Sequence, residues 1–156
     1  MAVRSRAGST FGLFPPSIIP LLIYNFAAWF LYDHSPTVIV DERVAYDPYW
    51  DRFLGIVTLP SDAVFAVTYG QGIVLLAVII LIFSIMRSTR TGPNTIIGNM
   101  VGVVVLCVYI VEFLAVDYAG TATFFMLTLI ALVDTLASIS VGMVSQRSDL
   151  DVIVEG

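Results

Sequence analysis

The chain has 156 residues, of which 58% are hydrophobic and 12% charged, with a mean hydropathy of +0.94. Soluble domains carry about 25% charged residues, so a chain this apolar is expected to take the lipid bilayer as its solvent. A formal charge of −5, the absence of lysine and the lack of any basic cluster argue against nucleic acid as a partner.

Arg4 and Arg6 precede the first apolar run, FPPSIIPLLIYNFAAWFLY, residues 14–32. Its length is near the roughly 20 residues that cross a hydrocarbon core as a helix. Pro15, Pro16 and Pro20 fall at its start, where N–H groups have no intrahelical partner; Pro20 would kink the helix if it began earlier. A basic start followed by an apolar run also opens a signal peptide. No small-residue cleavage site follows, so an uncleaved anchor is expected.

Residues 33–62 read as a polar outer loop with the acids Asp33, Asp41, Glu42, Asp47, Asp51 and Asp62. Within it DPYWDRFLGIV, residues 47–57, is expected to form a short interfacial helix, with Trp50 and Phe53 dipping among headgroups. Tyr46, Tyr49, Trp50 and Phe53 are the candidate surface for a partner subunit; a lid over the helices is the plainer alternative. His34 with Asp33 or Asp41 lacks metal-ligand spacing. A lone histidine also argues against a bis-histidine haem, so no metal or cofactor is expected.

The second run, residues 63–86, puts Ala63, Ala66, Gly70, Ala77 and Ser84 on one stripe, which suits close helix packing. Gly70-Gln71-Gly72 reads as a packing notch. Gly92-Pro93 breaks the chain before the third run, residues 96–118. There Gly98 and Gly102 form a GxxxG spacing in the same sector as Tyr109 and Glu112. Cys107 lies in this run, cannot form an internal disulfide, and is expected to pack as a small apolar residue. A tight turn, residues 117–122, then makes the third and fourth runs an antiparallel hairpin.

The fourth run, residues 122–144, contains TLIALVDTLASISVG. At about 100° per residue, Thr128, Ala131, Asp134, Thr135, Ser138, Gly142 and Ser145 share one arc. Leucine, isoleucine, valine and methionine fill most of the remainder. In lipid, small faces allow close backbone approach and hydroxyls can bond across the contact, so the Asp134 face is expected to be buried. Gly98, Gly102, Ala131, Ser138 and Gly142 are the expected packing residues. Residues 145–156 read as a flexible cytoplasmic tail.

Only helices and closed barrels satisfy the backbone in lipid, and these runs are continuous rather than alternating. The expected fold is an all-α membrane protein of one domain. It is an antiparallel bundle of four transmembrane helices with an outer loop containing a short interfacial helix. Arg4, Arg6, Arg87, Arg90 and Arg147 would lie on one side, with Arg43 and Arg52 on the other, which puts both termini in the cytoplasm. This layout resembles that of many small bacterial inner-membrane proteins, and arginine without lysine suits a GC-rich genome, so the expected location is a bacterial inner membrane.

Asp134 falls near the midplane, and Asn25, Gln71, Tyr109 and Glu112 lie within about 8 Å of it by the helical rise. A charge at mid-bilayer costs roughly 2.5–3.5 kcal/mol on insertion scales, and no Lys or Arg lies within any run. The expectation is a neutral Asp134 bonded to Asn25, Tyr109, Gln71 or a nearby hydroxyl. Its role would be a clasp between helices, a proton or cation site, or a pairing with a partner protein.

Enzymatic motifs are missing from the sequence: no nucleophile elbow, HExxH or phosphate-cradling loop occurs. A non-enzymatic role is therefore expected. The first reading is an accessory or scaffold subunit of a larger inner-membrane complex, of the energy-converting kind, acting through helix packing and contacts with other membrane subunits. The alternative is a small homo-oligomeric proton- or cation-coupled transporter or channel using Asp134 and Glu112.

Overall fold

The computed structural model describes residues 15–31, 38–40, 43–46, 49–88 and 95–154. Among them are four α-helices: α1 (Ile18–Leu31), α2 (Tyr69–Ser88), α3 (Thr95–Ala115) and α4 (Ala122–Val154). Three carry stretches long and apolar enough to cross a membrane: Tyr69–Met86, Ile97–Ala115 and Ala122–Met143. The fourth, α1, has 14 residues, which is about 21 Å of helix. Residues 14 and 32, expected in the same span, lie outside the described residues. Pro15 and Pro16 carbonyls accept from the N–H groups of Ile18 and Ile19. Pro20 therefore sits in the first turn, where its missing N–H removes no intrahelical bond.

Strands correct the all-α expectation. β1 (Val38–Val40) pairs antiparallel with β2 (Arg43–Tyr46), and β3 (Phe53–Thr58) pairs antiparallel with β4 (Val64–Thr68). The interfacial helix expected over residues 47–57 is not formed in the described part: residues 49–52 turn and Phe53–Thr58 is a strand. β-branched Ile56, Val57, Thr58, Val64, Val67 and Thr68 favour a pleated backbone. Pro60, Ser61 and Asp62 reverse the chain, with Asp62 N–H donating to Leu59 O (3.0 Å) and Leu59 N–H to Ala63 O (2.9 Å). Asp62 closes the loop at φ 59°, the left-handed position of a three-residue hairpin turn, which Asp tolerates better than most residues.

The same hairpin moves the start of the second helix from residue 63 to Tyr69. Thr68 caps it: its Oγ1 accepts from Gln71 N–H (3.3 Å), and Gln71 Oε1 accepts from Thr68 N–H (3.2 Å). This is a reciprocal capping box. The next two donors of the helix start are also satisfied, Tyr69 N–H by Arg52 O (3.0 Å) and Gly70 N–H by Trp50 O (2.9 Å). The turn at residues 49–52 thus locks onto the first turn of α2.

α3 ends at Ala115 rather than residue 118, and a short 3-10 turn (Asp117–Ala119) leads into α4. Thr121 caps α4, its Oγ1 accepting from Phe124 N–H (3.2 Å). The tail expected to be flexible from residue 145 continues instead as α4 to Val154. No proline or glycine lies between Met143 and Val154 to stop it.

α4 packs against both α2 and α3, and α1 touches α2 and α4. On α4, Ala131, Asp134, Thr135 and Gly142 are buried, while Leu129, Leu132, Val133, Leu136 and Met143 are exposed. On α2, Gly70, Ala77 and Ser84 are buried at steps of seven residues. Ala63 and Ala66, expected on the same helical stripe, belong instead to the hairpin, where Ala63 is exposed and Ala66 half-buried. Cys107 is exposed rather than packed inside.

Candidate functional site

Asp134 sits on the inward face of α4 and is 4% exposed. It lines a cavity of about 10 Å³ together with Ser17, Ala77, Tyr109, Leu127 and Ala131, among others. Oδ1 is fully buried and has no hydrogen-bond partner. None of the three partners expected for it is bonded to it. Tyr109 donates to the Ser17 carbonyl oxygen (2.8 Å), Asn25 Nδ2 donates to the Leu21 carbonyl oxygen (3.2 Å), and Gln71 belongs to the exposed capping box. The Ser17 and Leu21 carbonyls take the Tyr109 and Asn25 donors, and the Gln71 amide oxygen is engaged by Thr68 N–H at the start of α2.

The polar layer expected from helical depth therefore divides in three. Tyr109 and Asp134 share the cavity. Glu112, half-buried on α3, faces the Asn25 amide and accepts a long hydrogen bond from the Tyr118 hydroxyl (3.4 Å). Gln71 stands apart at the start of α2, because that helix begins too late to carry it inward. Burial, and then the nearby Glu112 charge, push the Tyr118 hydroxyl above its ordinary range.

The α3–α4 contact is made by the small residues. Gly102 is buried, and a Cβ on it would meet Thr135 Oγ1 at 4.0 Å. Thr135 Oγ1 points to Gly102 O at 3.5 Å, and Asn99 Nδ2 donates to Ser138 O at 3.3 Å. Gly98 and Ser138 are half-buried, and Ala131 and Gly142 are buried. Three α4 hydroxyls bond within their own helix: Thr128, Thr135 and Ser140 donate to the carbonyls of Phe124, Ala131 and Leu136. These three hydroxyls favour the carbonyl four residues back, and of them only Thr135 also reaches across the contact.

Trp50 overturns its expected place in a partner surface. It is 3% exposed, and its ring stacks on Tyr24 at 4.5 Å and 14°. Tyr24 also meets Phe124 edge-on at 4.8 Å. The Tyr24 hydroxyl donates to Tyr118 O (2.9 Å) and shares a 2.6 Å hydrogen bond with Thr121 Oγ1. Tyr49 is half-buried, edge-on to Trp50 at 5.2 Å, with the Arg52 guanidinium over its ring at 5.8 Å. Burial wins for Trp50 because the turn at residues 49–52 bonds to the start of α2 and swings the indole inward. Gly70 makes room there: a Cβ would collide with Thr123 Oγ1 and lie 3.1 Å from Trp50 O. The Tyr46 side chain lies outside the described residues.

Phe53 stays exposed and is joined by residues that sequence reasoning missed. Phe53, Leu54, Ile56, Val57, Val64 and Phe65 are each 57–69% exposed. Val57 and Phe65 are cross-strand partners on one face of the β3–β4 hairpin; Ile56 and Val64 lie on the other. Hydropathy merged residues 63–68 with the helix that follows. The signal that separates them is the pair of strand-forming segments FLGIVT and VFAVT around Pro60-Ser61-Asp62.

No group of three or more His, Cys, Asp or Glu side chains suited to a metal occurs among the described residues. Comparison with protein-family models, curated proteins and solved structures returns no match.

Proposed function

We propose that the chain is an accessory or scaffold subunit of a larger membrane complex. Its helices sit in the bilayer as an antiparallel bundle, and its β3–β4 hairpin docks on a neighbouring subunit. The arginine distribution supports a bacterial inner membrane, with both termini cytoplasmic and the hairpin outside. The observation that carries this reading is a hairpin apolar and exposed on both faces. The apolar stretch of α2 begins at Tyr69, the residue after β4. The hairpin therefore extends the chain beyond the span, by about 17 Å at strand rise. A contiguous exposed apolar patch in water marks an interaction site, and a lone two-stranded hairpin is at best marginally stable there. A partner's surface resolves both problems.

The test is purification from native membranes in mild detergent with measurement of assembly mass. The expected result is co-elution with a different chain at fixed stoichiometry, lost in the double variant Val57→Asp, Phe65→Asp while helical content is retained. A homo-oligomer of this chain alone, unaffected by the double variant, would contradict it. That result would favour the second reading, a proton- or cation-coupled transporter, whose support is the buried Asp134.

A further inference from the structure

The β3–β4 hairpin has edges as well as faces, and the edges carry their own chemistry. Leu59 N–H donates to Ala63 O (2.9 Å), so this is a hydrogen-bonded pair. Hydrogen-bonded and non-hydrogen-bonded pairs alternate along an antiparallel ladder. The register then runs Thr58↔Val64, Val57↔Phe65, Ile56↔Ala66, so Val57 and Phe65 turn their N–H and C=O groups inward. Ile56 and Thr58 turn theirs out along the β3 edge, and Val64 and Ala66 along the β4 edge. Among the described residues no third strand pairs with either edge. Natural sheets protect such edges with charge, proline or bulges. Phe53–Thr58 and Val64–Thr68 hold no charged residue and no proline, and the register irregularity lies between Phe53 and Gly55, away from Ile56 and Thr58.

We propose that the free edge of β3 binds an extended segment of the partner subunit as a third strand, paired through the backbone of Ile56 and Thr58. This rests on the docking role proposed above and adds how the partner is held. β3 is the open side. All six of its residues are exposed, whereas β4 is half-buried from Ala66 onward and its Thr68 N–H is taken by Gln71 Oε1. Two strands alone are marginal in water, and a third strand moves a sheet toward independent stability. Strand addition draws affinity from main-chain hydrogen bonds and selectivity from alternate side chains. The side chains beside this edge are apolar on both faces, Ile56 on one and Val57 on the other. The chemistry they fit is an uncharged segment with β-branched or aromatic residues at successive positions.

Residue-resolved amide hydrogen exchange tests this, on the complex purified from native membranes in mild detergent and on the full-length chain produced alone. In the complex the Ile56 and Thr58 amides should exchange about tenfold more slowly, as newly bonded groups do, while Val64 and Ala66 stay unchanged. Proline at an outward-facing edge position removes no bond of the ladder within the hairpin. Thr58→Pro should therefore release the partner, and Val64→Pro, directly across the ladder, should keep it. A complex in which Ile56 and Thr58 exchange as fast as in the chain alone overturns strand addition and leaves docking on a face, as by a helix, intact. Slowing at Val64 and Ala66 instead, or a partner that survives Thr58→Pro, overturns the β3 edge. A wild-type chain that elutes alone or only with its own copies overturns the docking role itself, and this proposal with it.

Discussion

Trp50 lies in a loop rich in acids and aromatics, a composition that reads as surface. Its indole is nonetheless buried against Tyr24, and Nε1 finds no hydrogen-bond partner. An unpaired buried donor costs about 1–3 kcal/mol, and the stacked ring offsets it through apolar burial and aromatic geometry. Trp50→Ala should therefore lower stability by about 3–5 kcal/mol. Trp50→Phe, which keeps the stack and removes the orphan donor, should cost much less. Thermal unfolding in detergent separates the two; equal losses would mean that the stack is not what holds the turn. Asp134 behaves differently. Its burial follows from a pattern visible in the sequence, because Thr128, Ala131, Asp134, Thr135, Ser138 and Gly142 recur at helical spacing. Its missing partner could not be foreseen, because Tyr109 and Asn25 reach backbone carbonyls fixed by the local path of α1.

At the scale of elements, the junction between β4 and α2 decides the architecture at that end. The capping box of Thr68 and Gln71, with the carbonyls of Arg52 and Trp50, satisfies the opening N–H groups of α2. Gly70 lets α4 and the Trp50 turn approach closely. Gly70→Ala should cost about 1–3 kcal/mol through overpacking, whereas Gly55→Ala, where a Cβ meets nothing within 4 Å, should not clash at all. Unfolding midpoints of the two variants check this, and equal midpoints would refute the notch. The junction also marks where sequence reasoning stops. Continuous apolarity cannot distinguish a strand from the first turns of a helix, so Val64–Thr68 vanished into a run of 24 residues, 63–86. Thr68-x-x-Gln71 was the local signal for the true start. The α3–α4 connection was legible because Gly120 and the polar residues around it interrupt two strongly apolar runs.

For the molecule as a whole, two kinds of apolar surface coexist. Leucine, isoleucine, valine and phenylalanine on the outward faces of α2, α3 and α4 suit acyl chains. The β3–β4 hairpin carries similar residues just past the start of the α2 span, where lipid does not account for them. A membrane subunit held by a neighbour explains both surfaces at once. The buried carboxyl lies in the interior beside Tyr109 and Ser17, away from the strands to which we assign the docking surface.

The most direct test places a photo-cross-linking amino acid at Val57 and, separately, at Val64, the two faces of the hairpin, in cells carrying the native membrane. The account expects both positions to cross-link to the same second polypeptide, of a sequence different from this chain. Cross-links to lipid alone, or to further copies of this chain, would contradict it.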